Sequence, residues 1–330
     1  MSPKAAAKKI RRGKKQKPAQ SSRPAGSRSL LVGAVILLVC ALLVAEAFKF
    51  FKKPPAPVFI TAQLVGQFTG TGQPCGTMGA WDVAALGNDR IVLTDQQNGR
   101  IVFFDRSGKY LRSWGKKGDG KKPEDLREPS GVTSDGKNVY FIDPWTSLVI
   151  GLDHEARLKS VVALSQGFYG PRGLAWDGQY FYVADTGGQR VVKVSPKDEV
   201  AAIWGAGQGS GKNQMSNPRA LVLDSKGLCY VADYENSRVQ VFDTAGHWVR
   251  SIPTGNKITD VEVDSKGRLF ASSLDGGFVK MFAPDGKYLG DLKDSNPANN
   301  FFASVVGMGM TPDDILLITS GDRVLLYQVP

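Results

Sequence analysis

Short apolar runs recur in pairs between residues 90 and 328. The first member of each pair reads RIVLTD, NVYFID, YFYVAD, LCYVAD, RLFASS or ILLITS, and the second RIVFFD, LVIGLD, RVVKVS, RVQVFD, FVKMFA or RVLLYQ. Most are apolar on both faces over five or six residues, which suits strands covered on either side by neighbouring sheets. A third kind of segment alternates instead, as in Lys109–Trp114 and Trp248–Ile252. Alternation of period two marks a strand with one wet face, so these are outer strands. Between the second run and the alternating strand, FDRSGKY, FDTAGHW and FAPDGKY place Gly108, Gly246 and Gly286 where a tight hairpin needs positive φ.

The first runs close on Asp95, Asp143, Asp185, Asp233, Ser273 and Ser320, at intervals of 48, 42, 48, 40 and 47 residues. A period near 45 built from short strands is the pattern of a radial β repeat with one sheet per copy. The expected fold is therefore all-β, a six-bladed β-propeller over residues 58–330. The last copy stops at Pro330 after its third strand, and ITAQLVGQFTG (Ile60–Gly70) looks like a fourth strand without a blade. Pairing the two, Ala62–Phe68 antiparallel to Val324–Val329, would close the ring and remove an exposed edge.

The first 57 residues have another character. Residues 1–28 hold ten Lys or Arg and no acid, with almost no bulky apolar side chain, so a disordered basic cytoplasmic tail is expected. Leu30–Phe48 is apolar except for Glu46; as a helix it is about 28 Å long at 1.5 Å per residue, near the ~30 Å of a bilayer core. Residues 29–50 thus read as a signal anchor, with the basic tail inside and residues 58–330 exported. The alternative is secretion after cleavage following Ala47, in the small-x-small pattern Ala45-Glu46-Ala47. The long basic leader and the lysines beyond the site favour the anchor. Residues 51–57 form a Pro-rich spacer. The net charge of +11 lies almost wholly in these segments: residues 58–330 carry 29 bases and 30 acids, which removes the footprint expected of nucleic-acid binding by the repeats. The three cysteines, Cys40, Cys75 and Cys229, are too few for a disulfide framework and read as separate thiols.

The repeats resemble NHL repeats. The residues that carry the resemblance are Pro171-x-Gly173, Val183-Ala184-Asp185 with Arg190, Pro218-x-Ala220, and Val231-Ala232-Asp233 with Asn236 and Arg238. Asp95, Asn98 and Arg100 follow the same pattern, which fades where Leu148 and Phe278 replace the arginine. The resemblance implies the six-bladed propeller and a binding or scaffolding role, with a protein, peptide or cell-envelope ligand held at the channel face. Some six-bladed relatives are lyases or lactonases with a histidine or a metal near the channel, which leaves an enzyme with an oxygen-ligated metal as the alternative. The repeated Asp/Arg pairs are read as pins for the bend between strands two and three.

His154 and His247 both fall in outer hairpins, so no histidine cluster is available for zinc and no Ser/His/Asp set converges. No cofactor is expected; a Ca²⁺ at the channel mouth would need Asp82, Asp260 and Glu262, the nearest inner-strand carboxylates. The variable place of the Pro-x-Gly element holds Trp81, Ser130, Arg172, Arg219, Thr259 and Val306, all expected at the top of the channel. Arg172 and Arg219 come from adjacent copies, and with Trp81, Thr259 and Asp260 they are the candidate ligand contacts for a carboxylate or peptide side chain. Trp145, Tyr169 and Tyr234 are candidate recognition aromatics on neighbouring loops, and Gly115–Pro129 reads as a solvated, charged loop.

Overall fold

The computed structural model describes residues 57–330 except Gln166 and Asn300. The described residues open with β1 (Phe59–Thr69). A four-stranded sheet follows, β2 (Ala80–Leu86), β3 (Arg90–Asp95), β4 (Arg100–Asp105) and β5 (Tyr110–Trp114). The charged loop then forms its own parallel pair, β6 (Lys116–Lys117) with β7 (Asp125–Leu126), anchored by buried Leu126. The second sheet is β8 (Val132–Ser134), β9 (Asn138–Asp143), β10 (Leu148–Asp153) and β11 (Leu158–Ala163). The third is β12 (Pro171–Trp176), β13 (Phe181–Asp185), β14 (Arg190–Val194) and β15 (Val200–Trp204). The fourth is β16 (Pro218–Leu223), β17 (Leu228–Asp233), β18 (Arg238–Asp243) and β19 (Trp248–Pro253). The remaining strands are β20 (Asp260–Val263), β21 (Leu269–Ser273), β22 (Phe278–Phe282), β23 (Tyr288–Asp294), β24 (Met308–Met310), β25 (Ile315–Ser320) and β26 (Arg323–Gln328).

These last strands do not make two separate blades. They form one eight-stranded sheet, β20-β21-β22-β23-β1-β26-β25-β24. The antiparallel pairing of β1 with β26 is present, from Gln63 opposite Gln328 to Thr69 opposite Arg323. What the sequence pattern did not reveal is that β1 also pairs in parallel with β23, Phe59–Ala62 opposite Asp291–Asp294. An eleven-residue strand is long enough to satisfy two edges, its N-terminal part on one and the rest on the other. The expectation of six separate blades is therefore corrected to four four-stranded blades plus this fused sheet.

The membrane expectation is corrected as well. Among the described residues no helix is long and apolar enough to cross a membrane. Residues 29–50, the basic tail and Cys40 lie outside the described residues, and the single-pass placement is withdrawn.

The apolar runs pack sheet against sheet. Phe103 of the first sheet meets Phe141, Ile150 and Leu152 of the second, and Tyr182 and Trp204 of the third meet Val231 and Phe242 of the fourth. Each such fully buried side chain contributes roughly 1.5–3 kcal/mol. Cys75 and Cys229 are free and buried, and burial pushes both thiols up.

The Asp/Arg pairs act as pins. Arg100, Arg190 and Arg238 each donate Nε to Asp95, Asp185 and Asp233 at 2.7 Å, with every aspartate fully buried. The other carboxylate oxygen accepts from the backbone just ahead of the inner strand: Gly79 N at 2.8 Å, Tyr169 N at 2.7 Å and Ser216 N at 2.7 Å. Each guanidinium also reaches a carbonyl of that segment, of Cys75, Gly167 or Gln214. One buried carboxylate thus locks a bend to the segment that leads into the innermost strand.

Candidate functional site: the channel mouth

The innermost strands touch in succession, β2, β8, β12, β16, β20, β24 and back to β2, enclosing a channel. Their approach is backbone to backbone. A Cβ on Gly131 would lie 2.5 Å from Arg172 O, one on Gly173 2.8 Å from Arg219 O, and one on Gly307 2.3 Å from Trp81 O. That spacing, well inside van der Waals contact, is the physical reason for glycine in the Pro-x-Gly element.

Two strands lack the glycine and carry aspartate there. Asp82 of β2 accepts from Val132 N on β8 at 2.9 Å and from its neighbour Val83 N at 2.8 Å. Asp260 of β20 accepts from Met308 N on β24 at 2.6 Å and from Val261 N at 2.8 Å. A carboxylate therefore bridges to the next inner strand where direct backbone contact is replaced. The pairing between first and second strands also shifts register near the variable position, between Ala80 and Val83, Pro171 and Gly173, and Pro218 and Leu221. Such irregularities re-aim a side chain, here towards the mouth.

The variable residues accordingly converge. Trp81, Ser130, Arg172, Arg219, Thr259 and Val306 all line one cavity of about 370 Å³, together with Asp82, Asp260 and Glu262. Sequence reasoning missed Thr186, Asn217 and Leu274, which also line it. Asn217 holds φ 60, a conformation Asn tolerates better than most residues, and that is the only trace it leaves in the sequence.

The charges in the cavity are not paired with each other. Arg172 makes no side-chain hydrogen bond or ion pair among the described residues, and Arg219 stacks its guanidinium 3.5 Å from the ring centre of Tyr234. Burial, then the repulsion of Arg219, lowers the Arg172 pKa; Glu128 opposes this. Burial raises the carboxyls of Asp82 and Asp260 well above the ordinary range, and each Asp's backbone donors pull it back. Glu262 is held up at about 8, mainly by burial, with Asp260 adding to it and Val263 N opposing it at 3.0 Å.

The three aromatics part company. Trp145 and Tyr169 are 59% and 74% exposed, Trp145 with Arg127 stacked 4.5 Å from its ring centre. Tyr234 is only 7% exposed, donates its hydroxyl to Asp275, and supports Arg219 from below. It belongs to a 3-10 turn and serves as a platform for the arginine. His154 and His247 sit in outer hairpins, bonded to Gly136 O and Asp243, and neither lines the cavity. Among the described residues no group of three or more His, Cys, Asp or Glu is arranged to hold a metal ion.

Comparison with known proteins agrees with this architecture. Residues 215–242 match the NHL repeat. The chain is 32% identical over 214 residues to NHL repeat-containing protein 3 of Homo sapiens, covering 58% of this chain and 54% of that protein. It thus spans about half the length of the curated relatives it matches. Among solved structures, a streptogramin B lyase superposes with a TM-score of 0.58 at 12% identity, over 80% of this chain and 97% of the lyase. A chain of the nidogen/laminin complex does so with 0.56 at 13%, over 70% and 84%. At such identity the likeness is one of fold. The described residues form a β-propeller that carries an NHL repeat.

Proposed function

We propose that this propeller is a binding module that takes an acidic group of a protein or peptide partner at the mouth of its channel. The carrying observation is the pair Arg172 and Arg219: two guanidiniums from adjacent inner strands, in one cavity, neither held by a carboxylate. A half-buried arginine without an anionic partner keeps unused donors in a confined space, and an incoming carboxylate would supply charge-assisted hydrogen bonds of about 1.5–3 kcal/mol each. Trp81 and the Tyr234 platform add aromatic surface beside them. NHL-repeat and other propeller domains generally mediate protein interactions, and one structural neighbour is a chain of the nidogen/laminin complex. At 12% identity the likeness to a lyase is one of fold and lends this chain no chemistry.

The test is calorimetric titration of the full chain with N-acetylglutamate, a carboxylate probe without an amine. Arg172→Met and Arg219→Met should each weaken binding about tenfold or more, and the double variant should abolish it. Binding indifferent to both changes would remove the channel mouth as the seat.

A further inference from the structure

The cavity is charged at both ends of its depth, and the two charges do not neutralise each other. The arginines come from β12 and β16, at the level of Trp81 and Thr259 in the other strands. Asp82 and Asp260 lie one residue further along β2 and β20, and Glu262 two beyond Asp260. At about 3.3 Å per strand residue, Glu262 sits roughly 10 Å deeper than the mouth. None of the three carboxylates forms an ion pair with Arg172 or Arg219 among the described residues, although all five line the same space.

The carboxylates differ in what they already hold. Both oxygens of Asp82 and of Asp260 accept backbone donors, so these two are committed to bridging strands. Glu262 lines the cavity and accepts only Val263 N, through Oε1; its second oxygen has no protein donor among the described residues.

The geometry points to a ligand that is itself dipolar: a carboxylate held by Arg172 and Arg219 at the mouth, and a protonated amine reaching Glu262 below. The inference rests on the proposed seat and specifies its ligand class as an amino carboxylate with its charges several bonds apart. Glu262 must be ionised to receive the amine, and burial holds its carboxyl up at about 8. Below that pH, binding has to expel its proton, so affinity should rise as pH increases from 6 to 8.5 and complexation should release a proton. The groups that share the space with Glu262 are Asp82, Asp260, Arg172 and Arg219 on the mouth side, and Asp224, Asp264 and Asp314 towards the far end. The far-end acids favour the arrival of a cation, while Asp82 and Asp260, raised by burial like Glu262, gain charge as the pH climbs and act in the same direction.

The experiment compares 4-aminobutyrate and 6-aminohexanoate with their N-acetyl forms, by titration calorimetry on the full chain at pH 6 and 8.5. At least one free amine should bind tenfold or more tightly than its acetylated counterpart at pH 8.5, with the advantage shrinking at pH 6. Glu262→Gln, which keeps the acceptor for Val263 N, should erase that advantage while leaving binding of the acetylated probe intact. If the acetylated probes bind as well as the amines and still depend on Arg172 and Arg219, the dipolar ligand is wrong and the carboxylate seat stands. If neither form binds, both ideas fall.

Discussion

Replacing Asp233 by alanine lowers the unfolding free energy of the full chain by about 3–5 kcal/mol, measured by urea titration. The carboxylate is fully buried and accepts from Arg238 Nε at 2.7 Å, Ser216 N at 2.7 Å and Asn236 Nδ2 at 2.9 Å. Its loss strands a guanidinium that is only 14% exposed, and leaves Ser216 N without its acceptor. Removing Arg238 as well should recover part of the loss, because no unpaired charge then stays buried. A change under 1 kcal/mol for the single variant would mean the pin is ornamental. Because the same carboxylate holds the segment before Pro218, the variant should also loosen Arg219 and weaken binding of a carboxylate probe.

The second large effect is expected at Gly307. Its backbone φ is unremarkable, so the cost is steric alone: a Cβ would lie 2.3 Å from Trp81 O and 2.8 Å from Asp82 Cα. Both are backbone atoms of the neighbouring inner strand and cannot swing aside. Gly307→Ala should therefore cost about 3 kcal/mol and push β2 outwards, taking Trp81 and Asp82 with it. Gly66→Ala is the control, since its nearest neighbour is a Leu326 side-chain carbon at 3.7 Å and the change should be close to neutral. Equal stability of the two variants would show that the inner strands are not in the contact described.

Much of this architecture could be read from the chain because it repeats. RIVLTD, YFYVAD and LCYVAD announce buried second strands, and Arg100, Arg190 and Arg238 stand five residues after their aspartates, the offset that a tight bend closes. The six variable positions of the Pro-x-Gly element could be placed at one mouth for the same reason: equivalent positions in a radial repeat converge. The fused sheet could not, since parallel pairing of Phe59–Ala62 with Asp291–Asp294 leaves no periodic mark in either segment. Asn217, Thr186 and Leu274 belong to connections, whose paths depend on what they pack against. The burial of Tyr234 follows from a local turn under Arg219, and its loop position alone suggested the reverse.

The sequence by itself determined the strands, their hairpins, the pinning pairs and the level at which Trp81, Arg172, Arg219 and Thr259 stand, because each depends on contacts within one repeat or on its recurrence. Tertiary structure alone decided that β1 would join two units into a sheet of eight, that Asp82 and Asp260 would bridge strands where glycine is missing, and that two arginines would share a cavity with Glu262 without neutralising it. Those outcomes rest on distances between residues far apart in the chain, set when the innermost strands close around the channel.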